Sequence, residues 1–137
     1  MKSAITGINH ITISVKNIDT AFSFYKDILK LEPVMKSGWG AYFRAGEMWV
    51  ALNVDPEHEP SKNYAHIAFN ISERDYHEFV EFIKANGVRE WQQNKSEGDS
   101  LYLLDDSGNK LEIHFSTLEE RTRHGKVHYG KEVQWFK

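Results

Sequence analysis

Cysteine does not occur anywhere in the 137 residues. That absence excludes a disulfide framework, a thiolate metal site and a cysteine nucleophile, so any bound metal must be held by His, Asp or Glu. Proline is scarce, with three residues, and no window approaches the run of about 20 apolar residues that spans a bilayer. The first residues, Met1-Lys2-Ser3-Ala4-Ile5-Thr6-Gly7, hold no apolar stretch of secretory-signal length, so a cytoplasmic location is expected. Positive charge is not in excess either: 17 basic against 20 acidic residues leave a net charge of −3. Such a chain lacks the field that draws nucleic acid or anionic lipid, and neither partner is expected.

What is present is the composition of a folded protein, 40% hydrophobic and 27% charged. The length suits one domain, 1–137, with enough chain to bury a core unaided. Inside it lies a faint internal repeat. His10-Ile11-Thr12-Ile13-Ser14-Val15 alternates as a strand does, and Asp19 then offers a cap for a helix carrying Phe22, Tyr25, Ile28 and Leu29 on one face. His66-Ile67-Ala68-Phe69-Asn70-Ile71 opens the second unit in the same way. Ser72 and Asp75 make a capping-box-like start to its helix, Phe79 and Ile83 supply the apolar face, and Gly87 closes it. Strand-like runs follow each helix, Gly40 to Arg44 and Glu47 to Asn53 in the first unit, Asp99 to Leu104 and Asn109 to Phe115 in the second. Both units read βαβββ, an α+β architecture, with repeat one at about 4–58 and repeat two at about 62–116. The charged, proline-bearing segment 55–63 joins them. The tail, 117–137, is mostly polar but ends in Val133-Gln134-Trp135-Phe136, which suits packing against the body or a partner.

His10 and His66 occupy the same place in the two repeats, so pseudo-symmetric packing can bring their imidazoles together across 56 positions. Aligning the final strands on Gly46 and Gly108 sets Val50 opposite Glu112, which makes Glu112 the third member and leaves the fourth symmetric position apolar. Two imidazoles and a carboxylate suit Mn, Fe, Co, Ni or Zn and leave coordination positions open for chemistry. Singly, each residue is more readily a hydrogen-bonded core histidine or a paired carboxylate; the matched positions favour ligands. His114 shares the strand face of Glu112 and is a rival ligand or a supporting partner. Thr12 shares a face with His10, and Ser100 and Tyr102 put two hydroxyls on one strand face. The oxygen-rich run Asn94-Lys95-Ser96-Glu97-Gly98-Asp99-Ser100 suits a hard cation or is only a solvated turn. Arg121 follows the last strand closely enough to clamp an anion, although an isolated arginine is more often a surface group.

Four segments, Gly7-Ile8-Asn9-His10-Ile11-Thr12, Tyr64-Ala65-His66-Ile67-Ala68-Phe69, Ser96-Glu97-Gly98-Asp99-Ser100 and Lys110-Leu111-Glu112-Ile113-His114, resemble the fosfomycin-resistance glutathione transferases of the vicinal oxygen chelate superfamily. The resemblance runs nearly end to end. The double βαβββ fold and the ligand triad are shared with glyoxalases and extradiol dioxygenases, whereas N-K-S-E-G-D-S followed by L-Y-L-L-D is more specific to the fosfomycin branch. It implies two cupped mixed sheets in a paired-domain homodimer, and an enzyme dependent on Mn2+ (or Zn2+, Ni2+ or Co2+) and K+ that adds the thiol of glutathione to the epoxide of fosfomycin. By the same resemblance His10, His66 and Glu112 hold the metal, with His10 coming from the other chain, and Thr12 assists at the oxirane oxygen. Tyr102, Ser96, Ser100 and Arg121 would hold the phosphonate; Asn94, Ser96, Glu97, Gly98 and Ser100 would shape a potassium loop. Trp49 and Tyr64 match aromatic positions lining the site, and Tyr42 one near the incoming thiol. Gln92 stands where glutathione-using members carry a lysine that meets the phosphonate. Lys95 replaces an arginine, and Asp106 a proline. The missing charge at Gln92 favours weaker fosfomycin binding unless another cation such as Lys95 moves in; the fold should tolerate Lys95 and Asp106, and together the departures favour fosfomycin as a secondary substrate of an enzyme with another task. Rival readings are hydrolysis, with Glu47 or Glu97 activating water, an Fe(II) dioxygenase, and a non-catalytic drug-binding protein.

Overall fold

The computed structural model describes residues 2–93 and 100–137. Among the described residues eight strands form two four-stranded sheets of the same topology. In the first, β1 (His10–Val15) runs parallel to β4 (Met48–Val54), followed outward by antiparallel β3 (Gly40–Ala45) and β2 (Glu32–Lys36). In the second, β5 (Ile67–Asn70) is parallel to β8 (Lys110–His114), followed by β7 (Ser100–Leu104) and β6 (Glu90–Gln92). The two βαβββ units are therefore real. The strands that the sequence does not locate, β2 and β6, are the outer edges. Glu32-Pro33-Val34-Met35-Lys36 is largely exposed, contains a proline and pairs through an irregularity, and β6 is three residues long. Edge strands need neither an alternating pattern nor a full set of donors, so their signal is weak.

Helix α1 (Ile18–Ser23) runs into a π-helical turn, Phe24–Ile28. Its N-cap is Asn17, whose Oδ1 accepts from Thr20 N at 3.0 Å. Asp19, expected to be the cap, instead lies in the first turn and pairs with Lys36 at 2.7 Å. The second helix, α2 (Glu73–Ala85), begins as expected, with Ser72 accepting from Asp75 N, and Gly87 follows its C-cap at φ +68°. The tail holds a third helix, α3 (Leu118–His128), that its polarity concealed. The missed signal was Thr117-Leu118-Glu119-Glu120, a capping box in which each end satisfies the other's backbone amide. Beyond α3 the chain folds back and lays Trp135 against Gly125 and Tyr129, where any side chain at 125 would collide.

One apolar cluster takes residues from both halves, among them Val15, Tyr25, Phe43 and Leu52 with Ile83, Leu103 and Leu111. The polar tie between the halves is built on Asp105, only 2% exposed. Its carboxylate accepts from Tyr25 OH (2.7 Å), Ser107 N (2.8 Å), Asn109 N (2.9 Å) and Asn109 Nδ2 (2.8 Å). Asn109 Nδ2 also donates to Ser14 O, and Lys16 N donates to Ser107 Oγ. A hairpin turn of the second half is thereby fastened to β1 and the π-helical turn of the first. Burial, reinforced by the Asp105 charge, pushes the Tyr25 phenol well above its ordinary pKa. The joining segment is held against the same turn, with His58 Nε2 at 2.8 Å from Asn109 Oδ1 and the Pro60 ring over Gly108.

Candidate metal centre

Core-facing residues alternate with the others along each strand, so register decides what shares the opposite face. On the first sheet His10 lies opposite Trp49, and Thr12 opposite Ala51, which in turn faces Tyr42. The His10 ring stacks on Trp49 at 4.2 Å, and Tyr42 meets Trp49 edge-on at 5.2 Å. On the second sheet Ala68, Glu112, Tyr102 and Gln92 form one row across β5, β8, β7 and β6. Since Ile11 pairs with Val50 and Ile67 with Leu111, the position equivalent to Glu112 is Ala51. Val50, expected there, is one residue off, because the turns before β4 and β8 differ in length, two residues against five, and their glycines are not equivalent positions. The fourth symmetric position is apolar all the same.

His66 comes just before β5. Its Nδ1 donates to Tyr64 O at 2.8 Å, which leaves the lone pair on Nε2, and Nε2 stands 2.8 Å from Glu112 Oε1. At that separation the two groups can hold one cation between them. Glu112 is 7% exposed, and a carboxylate so buried must be neutralised by a partner. His10 is prepared in the same way: Nδ1 lies 2.7 Å from Asn9 Oδ1, which leaves Nε2 for coordination. Holding one imidazole nitrogen by a hydrogen bond to free the other is the usual arrangement of metal-ligating histidines. The donor set therefore fits a divalent cation. His10 nevertheless does not join the others within one chain. Among the described residues no three His, Asp or Glu side chains converge to hold a metal.

Around His66 stand Tyr64 (5.0 Å between ring centroids), Trp91 (5.3 Å) and Tyr102 (6.1 Å). Trp91 is a wall that sequence reasoning missed; its Nε1 is anchored to Leu111 O at 2.9 Å, and Lys110 Nζ lies over its ring. Only the strand register brings it to the site, since β6 has no pattern of its own. Gln92 Nε2 donates to Tyr64 OH at 3.2 Å. Thr12 and His66 line one open cavity of about 320 Å³ together with Ser14, His58 and Lys110. Ser100 is buried at the start of β7, and Arg121 is half-buried in the first turns of α3. Asn94, Lys95, Ser96, Glu97 and Gly98, expected to form a potassium loop, lie outside the described residues.

Residues 7–113 match the family model described as Glyoxalase/Bleomycin resistance protein/Dioxygenase superfamily. The chain belongs to that superfamily. Its relatives place it in the fosfomycin-resistance branch. Metallothiol transferase FosB of Staphylococcus haemolyticus is 39% identical over 128 residues, covering 89% of this chain and 92% of the relative. Glutathione transferase FosA of Serratia marcescens is 34% identical over 121 residues, covering 85% and 86%. Among solved structures, the fosfomycin-resistance protein FosX of Listeria monocytogenes, complexed with Mn(II) and sulfate, superposes with a TM-score of 0.76 at 32% identity, covering 88% and 98%. The superfamily's two mixed sheets are those described above. Helix α3 lies beyond the residues that the family model matches. No helix among the described residues is long and apolar enough to cross a membrane.

Proposed function

We propose that this fosfomycin-resistance family member is a thiol transferase that opens the epoxide of fosfomycin, with glutathione as co-substrate, Mn2+ and K+ as cofactors and two chains sharing each metal site. The approach of His66 Nε2 to Glu112 Oε1 supports the metal on which this reading rests, because an imidazole nitrogen and a buried carboxylate meet there. The homodimer follows from the third ligand. His10 has its coordinating nitrogen freed but is not assembled with His66 and Glu112 in its own chain, and a second copy can deliver it.

A divalent cation bound there supplies Lewis acidity to the oxirane and phosphonate oxygens. The chain's own groups do the remaining work. Tyr102, in the same row as Glu112, and Ser100, opposite His114, offer hydroxyl donors to the phosphonate, with Gln92 beside Tyr102. In this reading Arg121 and Ser96 also hold the phosphonate, and Asn94, Ser96, Glu97, Gly98 and Ser100 shape the potassium loop beside it. Thr12 donates to the oxirane oxygen. Trp49 and Tyr64 line the substrate site, and the phenol of Tyr42 stands near the incoming thiol. The thiol sulfur bonds to carbon as the C–O bond breaks, and the thiol proton ends on the new hydroxyl.

Phosphorus NMR and mass spectrometry of fosfomycin incubated with protein, Mn2+ and K+, and with glutathione, cysteine or no thiol, test the reading. An adduct that needs both metal and thiol is expected. A diol formed without thiol would favour hydrolysis, the second reading, which draws support from a mutant of the Listeria relative bound to Mn(II) and 1S,2S-dihydroxypropylphosphonic acid. Of the residues that could activate water, Glu47 lines an apolar cavity of about 840 Å³ that His66 also borders; Glu97 lies outside the described residues. Unchanged fosfomycin in every tube, with metal bound, would refute both.

A further inference from the structure

His66 engages only one oxygen of Glu112. The other, Oε2, stands 3.4 Å from His114 Nδ1, and the same nitrogen makes a hydrogen bond with Ser100 Oγ. Strand geometry sets this up: His114 follows Glu112 by two on β8, and Ser100 is its direct partner on β7. All three are shielded, with Ser100 at 5% exposure and the side chains of Glu112 and His114 at 9% and 17%. One nitrogen thus faces two oxygens. If Nδ1 carried its lone pair it would point electrons at a carboxylate; with a hydrogen it is attracted to both neighbours. The network therefore assigns the hydrogen to Nδ1, and Ser100 Oγ accepts from it. The hydroxyl hydrogen of Ser100 is then turned toward an acceptor other than His114.

We infer that His114 is a positioning residue that steadies the outer oxygen of Glu112 and fixes Ser100 as a hydrogen-bond donor. The inference rests on the metal reading above and adds a consequence to it. A divalent cation on Glu112 and an oxyanion on Ser100 share one support, so binding of either strengthens binding of the other through His114. Thermodynamic linkage makes that coupling reciprocal. The line of polar contacts runs Ser100, His114, Glu112, His66 and the Tyr64 carbonyl, all in the second half of the molecule.

The test measures Mn2+ affinity by titration calorimetry and electron paramagnetic resonance, with and without inorganic phosphate as the anion probe. His114→Phe keeps the ring and removes the donor, and it should weaken Mn2+ binding about tenfold or more. Ser100→Ala should weaken phosphate binding in the wild-type background and add little in the His114→Phe background. Because His114→Phe can disturb packing, two polar variants give a second comparison. His114→Asn places an amide N–H where Nδ1 stands and should retain most of the affinity, whereas His114→Gln places it too far out and should not. Equal Mn2+ affinity in wild type and His114→Phe, equal behaviour of Asn and Gln, or additive losses for Ser100 and His114 would each overturn the inference. A wild-type protein that binds no divalent metal would instead remove the metal reading itself.

Discussion

Tyr25→Phe isolates one hydrogen bond at the seam between the two halves. The ring stays, with its contacts to Phe24 and Phe43, and only the hydroxyl that donates to Asp105 at 2.7 Å is lost. The carboxylate keeps its three other donors, from Ser107 and Asn109. A buried hydrogen bond to a charged acceptor contributes about 1.5–3 kcal/mol, so the variant should be less stable by about 2 kcal/mol, a fall in Tm of roughly 5–8 °C for a domain of this size. The loss should also depend on pH in a defined way. Burial raises the folded-state pKa of Tyr25, so the stabilisation is fully present below the unfolded value and drains away as pH climbs toward the folded one. With an unfolded tyrosine pKa near 10, the advantage of wild type over Phe should be constant up to about pH 9.5 and shrink by about 1.4 kcal/mol by pH 11. Urea unfolding followed by circular dichroism, at equal protein concentration from pH 7 to 11, reads both quantities. A difference under about 0.5 kcal/mol, or one unchanged at pH 11, would show that the Tyr25–Asp105 contact does not hold the halves together.

Glu112→Gln keeps the shape of the site but removes its negative charge, so Mn2+ affinity measured by calorimetry should fall by roughly 100-fold or more while Tm shifts little; wild-type affinity in the variant would remove Glu112 from the ligand set. Gln92→Lys brings a cation beside Tyr102 and Tyr64, and replacing a neutral with a charge-assisted hydrogen bond should lower the fosfomycin KM about five- to tenfold in a thiol-adduct assay. No change in KM would separate position 92 from the phosphonate. Asp106 has its carboxyl pKa raised, chiefly by desolvation, although Thr20 Oγ1 donates to it at 3.0 Å. A raised carboxylate pKa means that the fold favours the protonated form. The charge is therefore unfavourable at neutral pH, and Asp106→Asn should raise Tm at pH 7 but not near pH 3, where both states are protonated. A gain at both values, seen by differential scanning calorimetry, would point to a cause other than charge.

What could be read from the chain in advance was what neighbouring residues encode. Alternation over His10–Val15 and the apolar stripe ending at Ile83 name a strand and a helix because each pattern repeats within a few residues. Repetition of the pattern around His10 and His66 carried the duplicated fold, and with it the expectation that both histidines matter. The cap at Asn17 and the Thr117–Glu120 box were equally local, and a stricter search for side-chain caps would have found them. Edge strands β2 and β6 were hidden because half their backbone groups face no partner, which leaves their residues free to be polar.

The sequence by itself determined a duplicated α+β chain without cysteine chemistry, with two histidines at matched strand positions and a glutamate on the last strand of the second repeat. Only the tertiary structure decided that His66 and Glu112 meet within one chain while His10 stands with Trp49 on the other sheet. It also decided that Ala51, not Val50, mirrors Glu112, that Trp91 walls the site, and that His114 links Ser100 to the carboxylate. Strand register and packing bring together residues that lie tens of positions apart, and a shift of one residue turns a side chain to the opposite face. That geometry is a property of the folded sheets, and no short stretch of sequence contains it.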